Sequence, residues 1–276
     1  MRSSGPISLS LPAFSGVTRR LVLLNVGSFF GLLLLGWISP RLAALLVGHL
    51  LLVPAAVVRG EIWQLATYSF VNTGILWMLF GMVSLWFVGI LLEGALGGRW
   101  LAELYGASVV GGALLGVAIS FTHVFGLRPD LATLGAGSGL LGLMVAVGML
   151  FGDQEFLFMF VLRMKAKYLA ALYVLLELAF LLKENDGFGA LVQLSGAFCG
   201  FLFVRYAPRR GLAFGMSERY FGLRNGYYRW KRRRAARKFE VYMKKQDRVV
   251  HFDKDGRYID PDDARAKDPN DKRWMN

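Results

Sequence analysis

A single cysteine, Cys199, among 276 residues excludes an intramolecular disulfide and any multi-cysteine metal site. Histidine is almost as scarce, with only His49, His123 and His251. No second imidazole or carboxylate stands at ligand spacing from His123, so neither a metal nor a cofactor is expected, and His123 reads as a polar residue at a membrane edge. Charge is also short: 18% of the residues are Asp, Glu, Lys or Arg, while 55% are hydrophobic. Soluble domains carry roughly 25% charged residues. This imbalance excludes an ordinary soluble domain and points to helices that cross a bilayer.

A hydrocarbon core about 30 Å thick needs roughly 20 helical residues. Six apolar runs approach that length, at 20–39, 74–95, 100–122, 134–152, 168–183 and 188–206. The first follows Arg19 and Arg20 without a small-residue cleavage site, so it reads as a retained helix rather than a signal peptide. Residues 40–70 are apolar but interrupted by Pro40, Pro54 and Arg59–Gly60–Glu61, which fits a partly embedded interfacial loop better than a straight span. Its Trp63 and Tyr68 carry rings suited either to the headgroup level or to a packed interior. Glycines recur at four-residue spacing, as in Gly112/Gly116, Gly135/Gly139 and Gly196/Gly200, which brings bare backbone to one helix face for close packing.

The chain carries a formal +13, and all but +2 of it lies from Arg205 onward. Positive residues in the short connections favour both termini on the cytoplasmic side, in agreement with an even number of spans. The sequence therefore predicts an all-α membrane protein with a cytoplasmic N-terminal segment 1–19, a membrane domain 20–206 and a basic cytoplasmic tail 207–276. Within the tail, Arg229, Lys231, Arg232, Arg233, Arg234, Arg237 and Lys238 read as a helix lying on anionic lipid. Nucleic acid is disfavoured because no stacking motif or nucleic-acid module accompanies the run. Residues 249–260 read as a hairpin around Asp255–Gly256. The Asp253, Asp255 and Gly256 cluster lacks the spacing and terminal Glu of a calcium loop.

The order of motifs from Gly60 to Tyr206 resembles the rhomboid family of intramembrane serine proteases. Residues 60–100 are similar to the rhomboid first loop and second helix: Trp63–Gln64 stand where a Trp-Arg pair is usual, and Glu93 and Gly97 match the Glu-x-x-x-Gly motif. GAGSGLLGL at 135–143 resembles the start of the nucleophile helix, MKAKYLAALYVLLEL at 164–178 the fifth-helix entry, and VQLSGAFCG at 192–200, with Gly196 and Gly200, the sixth helix. The resemblance implies a six-helix rhomboid-like bundle with an embedded first loop.

It also assigns the catalytic positions, and here the chain departs from the family. Gly137 stands at the serine position, Gln193 at the histidine position, Trp77 and Gly81 at the oxyanion-side His and Asn, and Asn72 at a further loop histidine. A serine hydroxyl needs a base within hydrogen-bond reach. None of the three histidines lies in the sixth run, and an amide is no base near neutral pH. Ser138 is the fallback nucleophile, although one step along a helix turns a side chain by about 100°; its other reading is a small packing residue. Glu177, inside the fifth run, is costly in lipid unless paired, protonated or facing water, and is equally a structural or a functional residue.

The expected function is that of a pseudoprotease in a bacterial-type inner membrane, binding transmembrane clients or partner subunits without cutting them, as the resemblance to inactive rhomboids implies. The alternatives are an active endopeptidase using Ser138 and a structural subunit recruited through the basic tail.

Overall fold

The computed structural model describes residues 15–158, 162–183, 187–207, 212–245, 250–252, 254 and 257–259. The chain divides into two compact units, 1–211 and 212–276.

In the first unit α1 (Gly16–Ile38) is followed by short helices, α2 (Pro40–Leu50), α3 (Pro54–Val58) and α4 (Gln64–Thr67), and a 3-10 turn over Tyr68–Phe70. Pro40 and Pro54 each occupy a first helical position, where the missing N–H is not needed. The 40–70 segment is thus helical in pieces, none long enough to cross a bilayer. It is fastened by the Trp63–Gln64 pair: Gln64, fully buried, accepts from the Val53 N–H at 2.9 Å and donates to Glu61 at 2.7 Å, while the Trp63 indole donates to the His49 carbonyl at 2.9 Å.

Next come α5 (Ile75–Leu96) and α6 (Gly98–Ser120), joined through Gly97 at φ 89°, a left-handed conformation that favours glycine. Glu93, near the end of α5, reaches the start of α1. Its carboxylate accepts from the backbone N–H groups of Val17 (2.7 Å) and Thr18 (2.9 Å) and from the Thr18 hydroxyl (2.7 Å). An anion at a helix N-terminus satisfies orphan donors and opposes the helix dipole. The Glu-x-x-x-Gly motif here joins three helices.

The centre of the unit is α7 (Gly137–Leu150) packed among α6, α8 (Ala166–Lys183) and α9 (Phe188–Tyr206). A Cβ on Gly112 would lie 2.9 Å from the Gly196 Cα and from the Val192 carbonyl oxygen, and one on Gly200 would lie 2.8 Å from the Gly142 Cα. These are backbone-on-backbone approaches that any side chain would prevent. In lipid, where helix association depends on such contact rather than on a hydrophobic drive, they set the bundle. Between α7 and α8, β1 (Glu155–Phe158) pairs antiparallel with β2 (Leu162–Lys165). Asp153 at its base bonds Lys167 at 2.8 Å and pairs with Lys165 at 3.7 Å; the Lys167 hydrogen bond holds its carboxyl below the usual carboxylate range.

Among the described residues, four helices are long and apolar enough to cross a membrane: α1, α5, α6 and α9. The other two expected spans are present as helices that fall short of that measure. α7 has 14 residues, or about 21 Å of rise, because the chain before it runs as loop until Gly137. α8 has 18 residues but includes Lys167, Glu177 and Lys183. The chain is a helical membrane bundle.

The second unit contains α10 (Leu212–Lys244) and a two-stranded ribbon in which β3 (His251–Phe252) pairs with β4 (Tyr258–Ile259). Phe252 meets Phe239 and Tyr258 edge-on. Arg229, Lys231, Arg232, Arg233, Arg234, Arg237 and Lys238 are all exposed on α10. Trp230 stacks on Tyr227, with the Arg234 guanidinium 5.5 Å from its ring centre. Asp253, Asp255 and Gly256 lie outside the described residues.

Candidate functional site

A cavity of about 400 Å³ opens beside the start of α7. Asn72 lines it from the loop before α5, Trp77 and Gly81 from α5, Gly137 from α7 and Gln193 from α9. These are the five positions to which the resemblance assigns the dyad and oxyanion groups, and one hollow gathers them. Trp77, Phe80, Gly81 and Ser84 recur at helical spacing along one face of α5. Tyr173 and Glu177, four residues apart on α8, supply a wall from another side.

Gly137 and Gln193 touch. A Cβ added at Gly137 would overlap the Gln193 Oε1 and stand 2.6 Å from its Cδ. The amide therefore fills the space in which a side chain at 137 would project. Asn72 is held by a 3.1 Å hydrogen bond from its Nδ2 to the Asn25 Oδ1 on α1, and the Gly135 N–H donates to the Tyr68 carbonyl at 2.9 Å, pinning the loop that leads into α7.

Ser138 does not line the cavity. It is buried, and its hydroxyl lies 2.5 Å from that of Tyr68, which itself donates to the Val109 carbonyl at 2.9 Å. Its Cβ faces Gly196. The histidines are elsewhere: His49 on α2 pairs with Glu61 at 3.3 Å, His123 sits in the turn after α6 at φ 56°, and His251 belongs to the second unit. Among the described residues no group of three His, Cys, Asp or Glu side chains could hold a metal.

The family described as eukaryotic integral membrane protein (DUF1751) matches residues 22–218. The chain belongs to this family. It is also similar to Rhomboid-like protein 19 of Arabidopsis thaliana, 28% identical over 183 residues that make up 64% of this chain and 59% of that protein. The chain thus spans less than two thirds of that relative's length. Together the two matches make this a rhomboid-like integral membrane protein.

The family's eukaryotic description runs against the bacterial inner membrane expected above. Hydropathy and the distribution of Lys and Arg report the thickness and charge asymmetry of a bilayer, and carry no mark of the organism.

Two parts of this rhomboid-like site escaped the sequence reading. Tyr68 fits either a headgroup or an interior setting by sequence, and is an interior residue that bonds Ser138. Asn25 in α1 braces Asn72; a polar residue within an apolar first span was the available signal.

Proposed function

We propose that this rhomboid-like protein binds transmembrane clients without cutting them. The binding place is the cavity between α5 and α8, and the basic tail associates with anionic lipid headgroups on the cytoplasmic side, where both termini lie. The observation that carries this reading is the content of the cavity. The positions of a Ser–His mechanism converge there, yet they hold a glycine and an amide that fills the glycine's free space. Such a hollow can pack a helix and offer it hydrogen bonds, but no imidazole lines it to activate a hydroxyl as a Ser–His mechanism requires.

The helix faces beside the cavity support the same reading. Trp77 is 84% exposed and Phe80 60% on α5, and Leu176 and Phe180 are exposed on α8. Side chains of this kind meet lipid or a partner helix at little cost. The endopeptidase alternative would need the Ser138 hydroxyl to leave its hydrogen bond with Tyr68 and find a base.

A serine-reactive fluorophosphonate applied to the purified protein tests the noncatalytic half. No labelling is expected. Labelling that disappears in Ser138→Ala would refute it.

A further inference from the structure

We infer that α10 lies on an anionic bilayer surface by one defined face, centred on Trp230, with the β3–β4 ribbon turned away from the lipid. This rests on the proposed association of the tail with anionic headgroups, and assigns the residues and the orientation of that contact. Trp230, Arg234, Arg237 and Val241 follow one another at four-, three- and four-residue steps, so they share one face of the helix. Tyr227 and Lys244 extend that face by a turn at either end, and all six side chains are exposed. Ala236, Phe239 and Met243 stand on nearly the opposite side, where they enclose a hollow with Val250, Phe252 and Tyr258. The ribbon therefore takes the apolar side of α10 and leaves the mixed aromatic and cationic side exposed.

Seven of the ten residues from Arg229 to Lys238 are Lys or Arg, and Glu240 is the one acidic residue between Arg224 and Lys244. Among the described residues no carboxylate pairs with any of those seven cations. Unpaired guanidinium groups suit phosphate, which they bind through two parallel hydrogen bonds. The rings decide between a lipid surface and a nucleic acid strand. Trp230 already stacks on Tyr227, one turn before it, with ring centres 6.1 Å apart, and the Arg234 guanidinium stands 5.5 Å from the Trp230 ring centre, one turn after. A base needs a free ring face to stack on, whereas a headgroup layer needs only an amphipathic ring at the water boundary. Tethering favours lipid as well. α10 begins at Leu212, six residues after the end of α9 at Tyr206, and α9 is long and apolar enough to cross a membrane; that length of chain reaches at most about 22 Å. Val241 is the one aliphatic side chain on the face, so the helix seats among headgroups rather than among acyl chains.

Fluorescence quenching in the full-length protein, held in nanodiscs, tests this. In a Cys199→Ser background a fluorophore is attached at Val241→Cys or at Lys254→Cys, an exposed position between β3 and β4. The discs contain phosphatidylcholine, alone or mixed with phosphatidylserine, with a headgroup-spin-labelled phosphatidylcholine as quencher. Phosphatidylserine is expected to raise quenching at position 241 by at least about threefold and to leave position 254 near its phosphatidylcholine value. Arg234→Gln with Arg237→Gln should weaken this docking by about tenfold or more, while Arg229→Gln with Arg232→Gln, which removes the same charge from outside the face, should weaken it by less than about threefold. Arg234→Lys with Arg237→Lys should retain it, which separates lost charge from a damaged helix.

Equal quenching at positions 241 and 254 would overturn the defined face and leave an unoriented association of the tail with lipid. Equal losses from the two glutamine pairs would overturn it too, as would a lysine pair that loses docking as fully as the glutamine pair at the same positions. Release of the position-241 label from phosphatidylserine discs by stoichiometric oligouridylate at physiological salt would make nucleic acid the occupant. No response to phosphatidylserine at either position would remove both the inference and the tail–lipid reading beneath it.

Discussion

Alanine at Gly137 probes the fit between the two substituted catalytic positions. The new Cβ would stand 2.6 Å from the Gln193 Cδ and 3.1 Å from its Cγ, as well as overlapping Oε1. The obstacle is a flexible side chain, so Gln193 can rotate away. Overpacking of this kind costs about 1–3 kcal/mol, and helix propensity returns up to about 1 kcal/mol when Gly becomes Ala, less at the first residue of α7. The net expectation is a loss of about 1–2 kcal/mol, a factor of roughly 5–30 in the folded population. Reversible unfolding in mixed detergent micelles measures it. Adding Gln193→Ala should cancel most of the loss, giving a coupling of about 1 kcal/mol between the two sites. Gly112→Ala supplies the contrast: its Cβ would meet backbone atoms of Gly196 and Val192 at 2.9 Å, so the cost should be larger and Gln193→Ala should not relieve it. Strictly additive effects of Gly137→Ala and Gln193→Ala would refute the mutual fit.

Glu93→Ala removes three hydrogen bonds from the start of α1; a loss of about 2 kcal/mol is expected from cap and charge-assisted bonds of this kind, with faster amide exchange at Val17 and Thr18, and unchanged exchange would contradict it. Because the native Asp153 carboxyl is held low by Lys167, its contribution to the β1–β2 connection is complete above the unfolded pKa and disappears as pH falls through the lower native value. Protection of that hairpin should therefore weaken only in acid, and Asp153→Asn should remove the dependence. A reporter fused after Asn276 should be cytoplasmic and one inserted near Asp186 external, since the positive residues of the short connections favour that orientation; an external C-terminus would favour an odd number of spans.

The parts legible in the sequence were those governed by long-range periodicity and composition. The expected run at 188–206 coincides with α9, and those at 74–95 and 100–122 differ from α5 and α6 by one or two residues at each end, because sustained apolarity and the Gly97–Gly98 break leave few alternatives. The glycine spacings marked the contact between α6 and α9. Less legible were features that depend on which neighbour a side chain meets. Glu93 was recognisable as a motif residue, but its bonds to Val17 and Thr18 join positions some 75 residues apart, and no local pattern encodes such a partner. Ser138 offered two readings at the level of sequence, and its contact with the Tyr68 hydroxyl, 70 residues away, is one that no local pattern encodes. The shortness of α7 follows from a loop anchored by Tyr68 and Leu52, contacts that hydropathy does not contain.

Site-specific photocrosslinking in native membranes tests the central claim most directly, with probes placed at Trp77 on α5, Phe180 on α8 and an exposed position such as Leu34 on α1. The account predicts that Trp77 and Phe180 capture the same membrane-spanning partner, that the partner remains uncleaved, and that Leu34 captures much less of it. Equal capture from all three positions, or capture only by probes in α10, would contradict a client site between α5 and α8.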